Sequence, residues 1–447
     1  MKRVLIANRG EIALRAVRAC RVAGLQSVAV YSTPDVSSPH VWAADQAVCI
    51  GPAAALQSYL DEDRLMEVAK ATQCDAVYPG YGFLSERAKF AERCGDEGLV
   101  FIGPSPDVIE AMGDKAEARK RAEARGVPVV PGSSAAFTDV GEAAKSARDI
   151  GFPLLLKASA GGGGRGMRVA QNEAAFAELF MQASAEASSA FGNGEIYLER
   201  FFSRVRHIEV QIFGDSHGNV RHFGERDCSV QRRHQKIIEE APSPVLEPQE
   251  RQELLQSAVA LGEAIGYQNA GTVEFIFDVE SRRFFFIEMN TRIQVEHPVT
   301  EALTGYDLVA EQLKVAAGDR LSADPVKPPE VGAAIEWRIC AEDPSRGFKP
   351  SPGRIRNWPR PSGVGIRFDT HAYSGYDVPP FYDSMLGKLI VSGRDRREAI
   401  ARSEAALMAF SDTGIATNVP FHLDLLHSRK FRDAEIHTRW IEEELLK

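Results

Sequence analysis

At 447 residues, 44% hydrophobic and 26% charged, the chain is long enough for two or three cores and too apolar to be disordered. Its formal net charge of −9 excludes a broad basic face for nucleic acid and works against docking on anionic membranes. No apolar run approaches the roughly 20 residues of a spanning helix. The apolar stretch Val4 to Ala7 is too short for a signal peptide, so a cytoplasmic protein is expected.

In chain order, Val4–Ala7, Ser27–Tyr31, Ala76–Tyr78 and Leu99–Ile102 read as buried strands, with helices at Glu11–Ala23 and Arg64–Ala71. That alternation predicts an α/β domain with a parallel sheet over residues 1–111. The turn Asn8-Arg9-Gly10 lacks GxGxxG and reads as structural. A helix over Asp114–Ala124 leads to a turn-rich stretch, Val130–Ser134. A smaller α/β segment follows: strand Pro153–Ala158, a glycine loop, strand Met167–Ala170, helix Glu173–Ala187 and strand Glu195–Glu199. Beyond residue 203 long alternating strands such as His207–Phe213 flank a helix over Pro248–Ile265. The Pro-rich PVKPPE near 325–331 marks a boundary, and 332–447 reads as mixed α+β. The six cysteines form no CxxC and give no disulfide or zinc pattern; Cys228 lies near polar residues but nothing beside it marks a nucleophile.

Three stretches carry chemistry. In KASAGGGGRGM a strand delivers Lys157 into four consecutive glycines. Such a loop lets backbone N–H groups close on phosphate oxygens, and the lysine adds a point charge; a hairpin turn would need fewer glycines. No GK[ST] follows, so it is not a P-loop. In TVEFIFD period two sets Glu274 on one face with Thr272 and Ile276, and in FFFIEMNTRIQVE it lines up Glu288, Asn290, Arg292, Gln294 and Glu296 wherever the chain is extended, with Phe275, Phe277, Phe285 and Ile287 on the opposite, buried face. A hairpin near Ser281 would set Glu274 against Glu288, and a hard cation such as Mg²⁺ would relieve the like charges. In ERDCSVQRRHQK, Arg232, Arg233, His234 and Lys236 form a basic island without interleaved aromatics, better suited to a small anion than to nucleic acid. Lys115 alone reads as a surface lysine.

These stretches, with NRGEIA (8–13), PGYGFLSE (79–86), MGDK (112–115), Glu288–Thr300 and PSPG (350–353), resemble biotin carboxylase over essentially the whole chain. The resemblance implies an N-terminal α/β domain (1–111), an ATP-grasp domain (112–331) with a mobile lid at about 130–203, and a C-terminal domain (332–447). It assigns ATP to Lys115, Lys157, Gly163, Gly164, Glu199, Phe202, His207, Gln231, His234, Ile276 and Ile436, which overrides the surface reading of Lys115. Glu274, Glu288 and Asn290 would hold Mg²⁺ or Mn²⁺. Lys236, Arg292, Gln294 and Val295 would bind bicarbonate, Glu296 would be its base, and Arg338 would face the biotin ureido group.

No Ala-Met-Lys-Met motif occurs, so the expectation is a chain that neither carries biotin nor contains a carboxyltransferase. Its partners would be a biotin carboxyl carrier protein and a carboxyltransferase on other chains. The family's homodimer contact is only half matched: Arg18 and Arg367 agree, but Val22 and Val364 stand where the bacterial subunit has glutamate and phenylalanine. Ala160 replaces a further glycine of some relatives, and the stretch Asp278–Arg283 is slightly longer. The implied reaction is carboxylation of biotin for an acyl-CoA carboxylase, acetyl-CoA first, with propionyl-CoA, another acyl-CoA or pyruvate as alternatives. A purine-type ATP-grasp ligase is disfavoured by the Arg292–Glu296 set and Arg338.

If the glycines close on phosphate, Gly164→Val raises the KM for ATP and lowers turnover, while the melting temperature without nucleotide barely moves. A large stability loss with normal ATP kinetics would instead identify a plain hairpin turn.

Overall fold

Near the N-terminus the apolar runs become strands buried on both faces, as a parallel sheet requires. β1 (Arg3–Ile6), β2 (Gln26–Ser32), β3 (Gln46–Gly51), β4 (Ala76–Tyr78) and β5 (Val100–Phe101) pair in the order β3-β2-β1-β4-β5, all parallel. Val4 and Ile6 pack on one face with the helix Gly10–Val22, while Leu5, Val28 and Val30 join the other core. Strand β3 escapes the sequence reading because its residues are mostly half-exposed at the sheet edge. The Asn8 side chain donates to the carbonyls of Pro79 (2.7 Å) and Tyr81 (2.8 Å), so two loops are tied together. Gly80 has φ +63°, and a Cβ there would lie 3.1 Å from Asn8 Nδ2. The glycine is needed for both the conformation and the approach.

The computed structural model describes residues 1–133, 135–158, 167–191, 193–322 and 332–446. Gly163, Gly164, Ala160 and the Pro-rich boundary at 325–331 lie outside the described residues. The chain divides into two compact units, one comprising Met1–Val127, Arg206–Phe275 and Glu288–Lys447, the other Pro128–Val205 and Ile276–Ile287.

The smaller unit is built on an antiparallel sheet of β6 (Leu154–Ala158), β7 (Arg168–Ala170) and β8 (Ile196–Arg200), ordered β7-β6-β8. Helices Val140–Ile150 and Glu173–Phe191 cover it through Ala143, Ala147, Phe176 and Phe180. Its Asp278–Arg283 turn is tied by Asp278 Oδ2, which accepts from the N–H (3.0 Å) and hydroxyl (2.6 Å) of Ser281.

An eight-stranded sheet organises the larger unit, although residues 276–278 and 283–287 of two of its strands belong to the smaller one. Its strands are β9 (Val205–Gly214), β10 (Val220–Arg232), β11 (Gln235–Ala241), β12 (Asn269–Asp278), β13 (Arg283–Asn290), β14 (Ala333–Cys340), β15 (Ile366–Thr370) and β16 (Met385–Gly393). They run in the order β13-β12-β9-β10-β11-β14-β16-β15 and are antiparallel from β9 through β15. β11 pairs with β14, so residues on either side of the Pro-rich stretch share one sheet. The C-terminal core gathers Trp337, Leu389, Phe431 and Trp440, and the Trp337 indole donates to Ser403 Oγ at 2.9 Å. Arg233 (φ 49°) and His234 (φ 65°) form a two-residue hairpin turn between β10 and β11. Two left-handed residues there match the twist of the flanking strands, so part of the basic island is turn geometry.

Candidate active site

Charged residues alternate along strands whose other face is mostly apolar, apart from the buried Arg206, Asp227 and Glu240, so the larger unit's sheet carries one polar face inside the protein. From β9 come His207, Glu209 and Gln211; from β10, Arg226; from β11, Lys236; from β12, Thr272 and Glu274. Strand β13 ends at Asn290 rather than continuing to Glu296. Gln294 therefore arrives from the connecting turn, and Glu296 sits at the N-cap of the helix His297–Thr304. The chain leaves the extended conformation, yet Gln294 still reaches Glu274, donating to Oε1 at 2.8 Å.

Lys236 is the hub. Its Nζ lies 2.5 Å from Glu209 Oε2, 2.6 Å from Glu296 Oε1 and 3.0 Å from Glu274 Oε1. Arg226, fully buried, binds Glu209 Oε1 (2.5 Å), Gln211 (2.9 Å), Thr300 (3.0 Å) and Gln294 (3.0 Å). Arg338 on β14 clasps Glu239 through Nε at 2.6 Å and Glu296 Oε2 through Nη2 at 2.9 Å. Glu296 thus bridges the lysine and the arginine. His207 Nε2 lies 2.9 Å from Glu274 Oε2, and the Gln231 amide meets His207 Nδ1 at 3.1 Å.

Burial works against every one of these charges, and the partners overcome it. Desolvation would raise the Glu296 carboxyl, but Lys236, Arg338 and Arg226 hold it below the ordinary carboxylate range. Glu274 is likewise held well below its usual value by Lys236 and His207. Burial would lower Lys236, and Glu209, Glu296 and Glu274 instead keep it well above the usual lysine value. Glu274 in turn raises His207 against the effect of burial. Glu296 is therefore a buried carboxylate held in its ionised form. By contrast, burial pushes the Cys228 thiol well up, which suits an inert core cysteine.

Around this cluster stand the other expected residues. Asn290 Nδ2 donates to Glu274 Oε1 at 2.9 Å, and Arg292 reaches Asn290 Oδ1 (2.9 Å) and Glu86 (2.8 Å). Glu288 pairs with Lys115 at 3.0 Å. The like charges expected to meet across the hairpin are thus each neutralised by protein cations. The oxygen donors of Glu274, Glu288 and Asn290 have the chemistry of a hard divalent-cation site. Val295 accepts Lys388 Nζ on its carbonyl at 2.7 Å. It also lines a cavity of about 540 Å³ with Tyr81, Phe83, Arg338, His371 and Tyr382. Ile436 is buried, with its carbonyl on Arg206 at 2.9 Å, and His234 is exposed on the hairpin turn. Lys157, Glu199, Phe202 and Ile276 belong to the smaller unit, where Lys157 pairs with Glu199 and Phe202 stacks on Phe285 at 5.0 Å.

Sequence reasoning missed Glu209, Arg226, Glu239, Glu336 and Lys388. The available signal was a charge in an otherwise apolar strand, as in AAIEWRIC and MLGKLIVSG.

The sheet that bears these buried carboxylates, flanked by a parallel α/β domain, falls in a region that family models assign to an ATP-binding domain of the ATP-grasp class of ligases. Residues 1–109 match the biotin carboxylase N-terminal domain, 114–324 the carbamoyl-phosphate synthase L chain ATP binding domain, and 336–443 the biotin carboxylase C-terminal domain. Biotin carboxylase 1 of Bacillus subtilis is 50% identical over 442 residues, covering 99% of this chain and 98% of that one. A pyruvate carboxylase subunit of Methanothermobacter thermautotrophicus is 48% identical, covering 99% and 89%. The biotin carboxylase domain dimer of Hydrogenobacter thermophilus 2-oxoglutarate carboxylase, solved with MgADP, ADP and bicarbonate, superimposes with a TM-score of 0.89 at 46% identity, covering 99% and 97%. The chain belongs to the biotin carboxylase family.

Removing the hub tests the electrostatics. Glu274 and Glu296 are held low, so their stabilisation is present at neutral pH and lost as pH falls through the carboxylate range. Lys236→Met deletes much of it, at a cost of roughly 3–5 kcal/mol for a broken buried pair. The gap in melting temperature between wild type and variant is largest near pH 7 and narrows on acidification. A gap independent of pH would contradict the clasp.

Proposed function

We propose that the chain carboxylates biotin held on a separate biotin carboxyl carrier protein, using ATP and bicarbonate through carboxyphosphate, as the first half-reaction of an acetyl-CoA-type carboxylase. The observation that carries this reading is the chain Lys236–Glu296–Arg338, in which one ionised carboxylate touches both a mostly buried lysine and an arginine lining a cavity. An anion drawn to Lys236, with Arg292, Gln294 and Val295 nearby, lies within reach of a base. A urea-type ring in the cavity lies within reach of Arg338.

Glu296 takes the bicarbonate proton, and the bicarbonate oxygen attacks the γ-phosphate of ATP, releasing ADP. Carboxyphosphate breaks to CO₂ and phosphate. The biotin ureido nitrogen loses its proton to that phosphate and bonds to CO₂, while Arg338 stabilises negative charge on the ureido oxygen. Lys115 and Lys157, with Gly163 and Gly164, serve the ATP phosphates. His207, Gln231, His234, Glu199, Phe202, Ile276 and Ile436 serve the nucleotide. Glu274, Glu288 and Asn290 would hold Mg²⁺ or Mn²⁺, which when bound offsets phosphate charge. Their oxygen donors support this, as does the MgADP of the Hydrogenobacter relative.

The carboxyltransferase is a second partner, on another chain, and it selects the acceptor. Propionyl-CoA, another acyl-CoA and pyruvate are the alternatives, the last supported by the pyruvate carboxylase relative. A homodimer is supported by the dimeric relative and by the matching Arg18 and Arg367, while Val22 and Val364 depart from the bacterial subunit's contact. The cytoplasm fits six free cysteines, and no described helix is long and apolar enough to cross a membrane.

The two half-reactions separate by mutation. Arg338→Gln keeps slow bicarbonate-dependent ATP hydrolysis and loses carboxybiotin formation by about a hundredfold or more, the scale of one oxyanion-type donor. Glu296→Gln depresses both. Phosphate release and ¹⁴C fixed on free biotin, measured side by side, read the split. Equal loss of both in Arg338→Gln would assign the arginine to bicarbonate binding or to site assembly.

A further inference from the structure

Two carboxyls beside Arg338 have no part in this mechanism. Glu239 on β11 and Glu336 on β14 stand directly opposite each other in the antiparallel ladder, and both are 0% exposed. Glu239 gives Oε1 to Arg338, and its Oε2 is buried without a hydrogen-bond partner. Both oxygens of Glu336 are buried without one. The nearby cations are committed elsewhere. Lys388, paired with Arg338 across β14 and β16, spends its amine on Glu11 (3.1 Å) and the Val295 carbonyl. Lys236 already faces Glu209, Glu274 and Glu296. Tyr81 adds no positive charge and binds Glu11. Two facing charges sealed from water, one with no donor at all, are unfavourable when both are ionised. A proton held between them removes the conflict.

We propose that Glu239 and Glu336 share one proton and act as a positioning pair for Arg338. While the proton is held, the pair carries a single negative charge and Arg338 is free to serve the biotin ureido oxygen. When the proton leaves, the second charge keeps the guanidinium in its carboxylate clasp. Burial lifts Glu336 well above the ordinary carboxylate value, with Glu239 and Glu296 adding and Lys388 and Arg338 opposing. Burial also lifts Glu239, with Arg338 opposing it and Glu296 adding. Both shifts are upward, so the proton is held on the acid and neutral side and lost as pH rises. The inference rests on the role proposed for Arg338.

Glu336→Gln imitates the protonated acid at every pH. In the full chain with ATP, Mg²⁺, bicarbonate and free biotin, the ratio of carboxybiotin formed to ATP hydrolysed falls with rising pH in wild type. In the variant that decline is absent, so at alkaline pH its ratio exceeds that of wild type by about tenfold for each pH unit above the wild-type transition. Hydrolysis without biotin keeps its pH profile in both proteins. Infrared difference spectra supply a readout that needs no activity: a protonated-carboxyl stretch present at neutral pH is lost in Glu336→Gln and on alkaline titration of wild type. Absence of that band would overturn the shared proton, whatever Arg338 does. A band without any change in the ratio's pH profile would overturn the coupling to Arg338. If the band behaves as stated but Arg338→Gln abolishes both half-reactions equally, the positioning role is overturned through the reading of Arg338, and the shared proton stands by itself.

Discussion

A largely buried lysine ringed by three carboxylates is the constraint on which the larger unit's interior depends. Neither the lysine nor the carboxylates could be buried alone, since an isolated charge in a low-dielectric interior is far more costly than an exposed one. Lys236 is tolerated because Glu209, Glu274 and Glu296 surround it, and those are tolerated because Arg226, His207 and Arg338 complete the neutralisation. In the proposed function a small anion takes over contacts to Lys236 that the carboxylates now make, with Glu296 as the base beside it.

The long antiparallel sheet is what makes such a cluster possible. Glu209 and Glu274 sit on different strands and converge because period-two alternation aims each at the same face, while Lys236 joins them through the register shift between β10 and β11 that separates it from Ile238. Arg338 joins them because β14 pairs with β11, so a residue distant in sequence enters the site by ladder register alone. The opposite faces of these strands are filled by Phe275, Phe277, Trp337 and Leu389, which fix the backbone against which the charges are held. The N-terminal parallel domain contributes through its loops. Glu86 positions Arg292, and Tyr81 enters the cavity beside Arg338.

The parallel N-terminal strands were legible because strands buried on both faces read as unbroken apolar runs; β3 was not, because an edge strand does not. Glu274, Glu288 and Asn290 stood out because period two set them against a run of phenylalanines. Extending that period to Glu296 failed at Asn290, where the chain turns toward a helix. Nothing in the local pattern announces that turn, and the side chains reach the site by another route. Glu209, Arg226 and Glu239 were passed over because a charge in a strand reads as solvent-facing until the second layer over it is known. Lys115 had no local signal, and only its place in a family motif marked it. Its 79% exposed side chain, turned to Glu288, shows why composition and periodicity are silent there.

The most direct measurement follows ¹⁴C from bicarbonate in the purified chain supplied with free biotin. Label should appear on biotin as an acid-labile carboxyl only when ATP and Mg²⁺ are both present, and biotin should stimulate ADP formation. ATP hydrolysis that biotin does not stimulate, with no label transferred, would contradict a site built to carry a carboxyl group from bicarbonate past Glu296 to a ring beside Arg338.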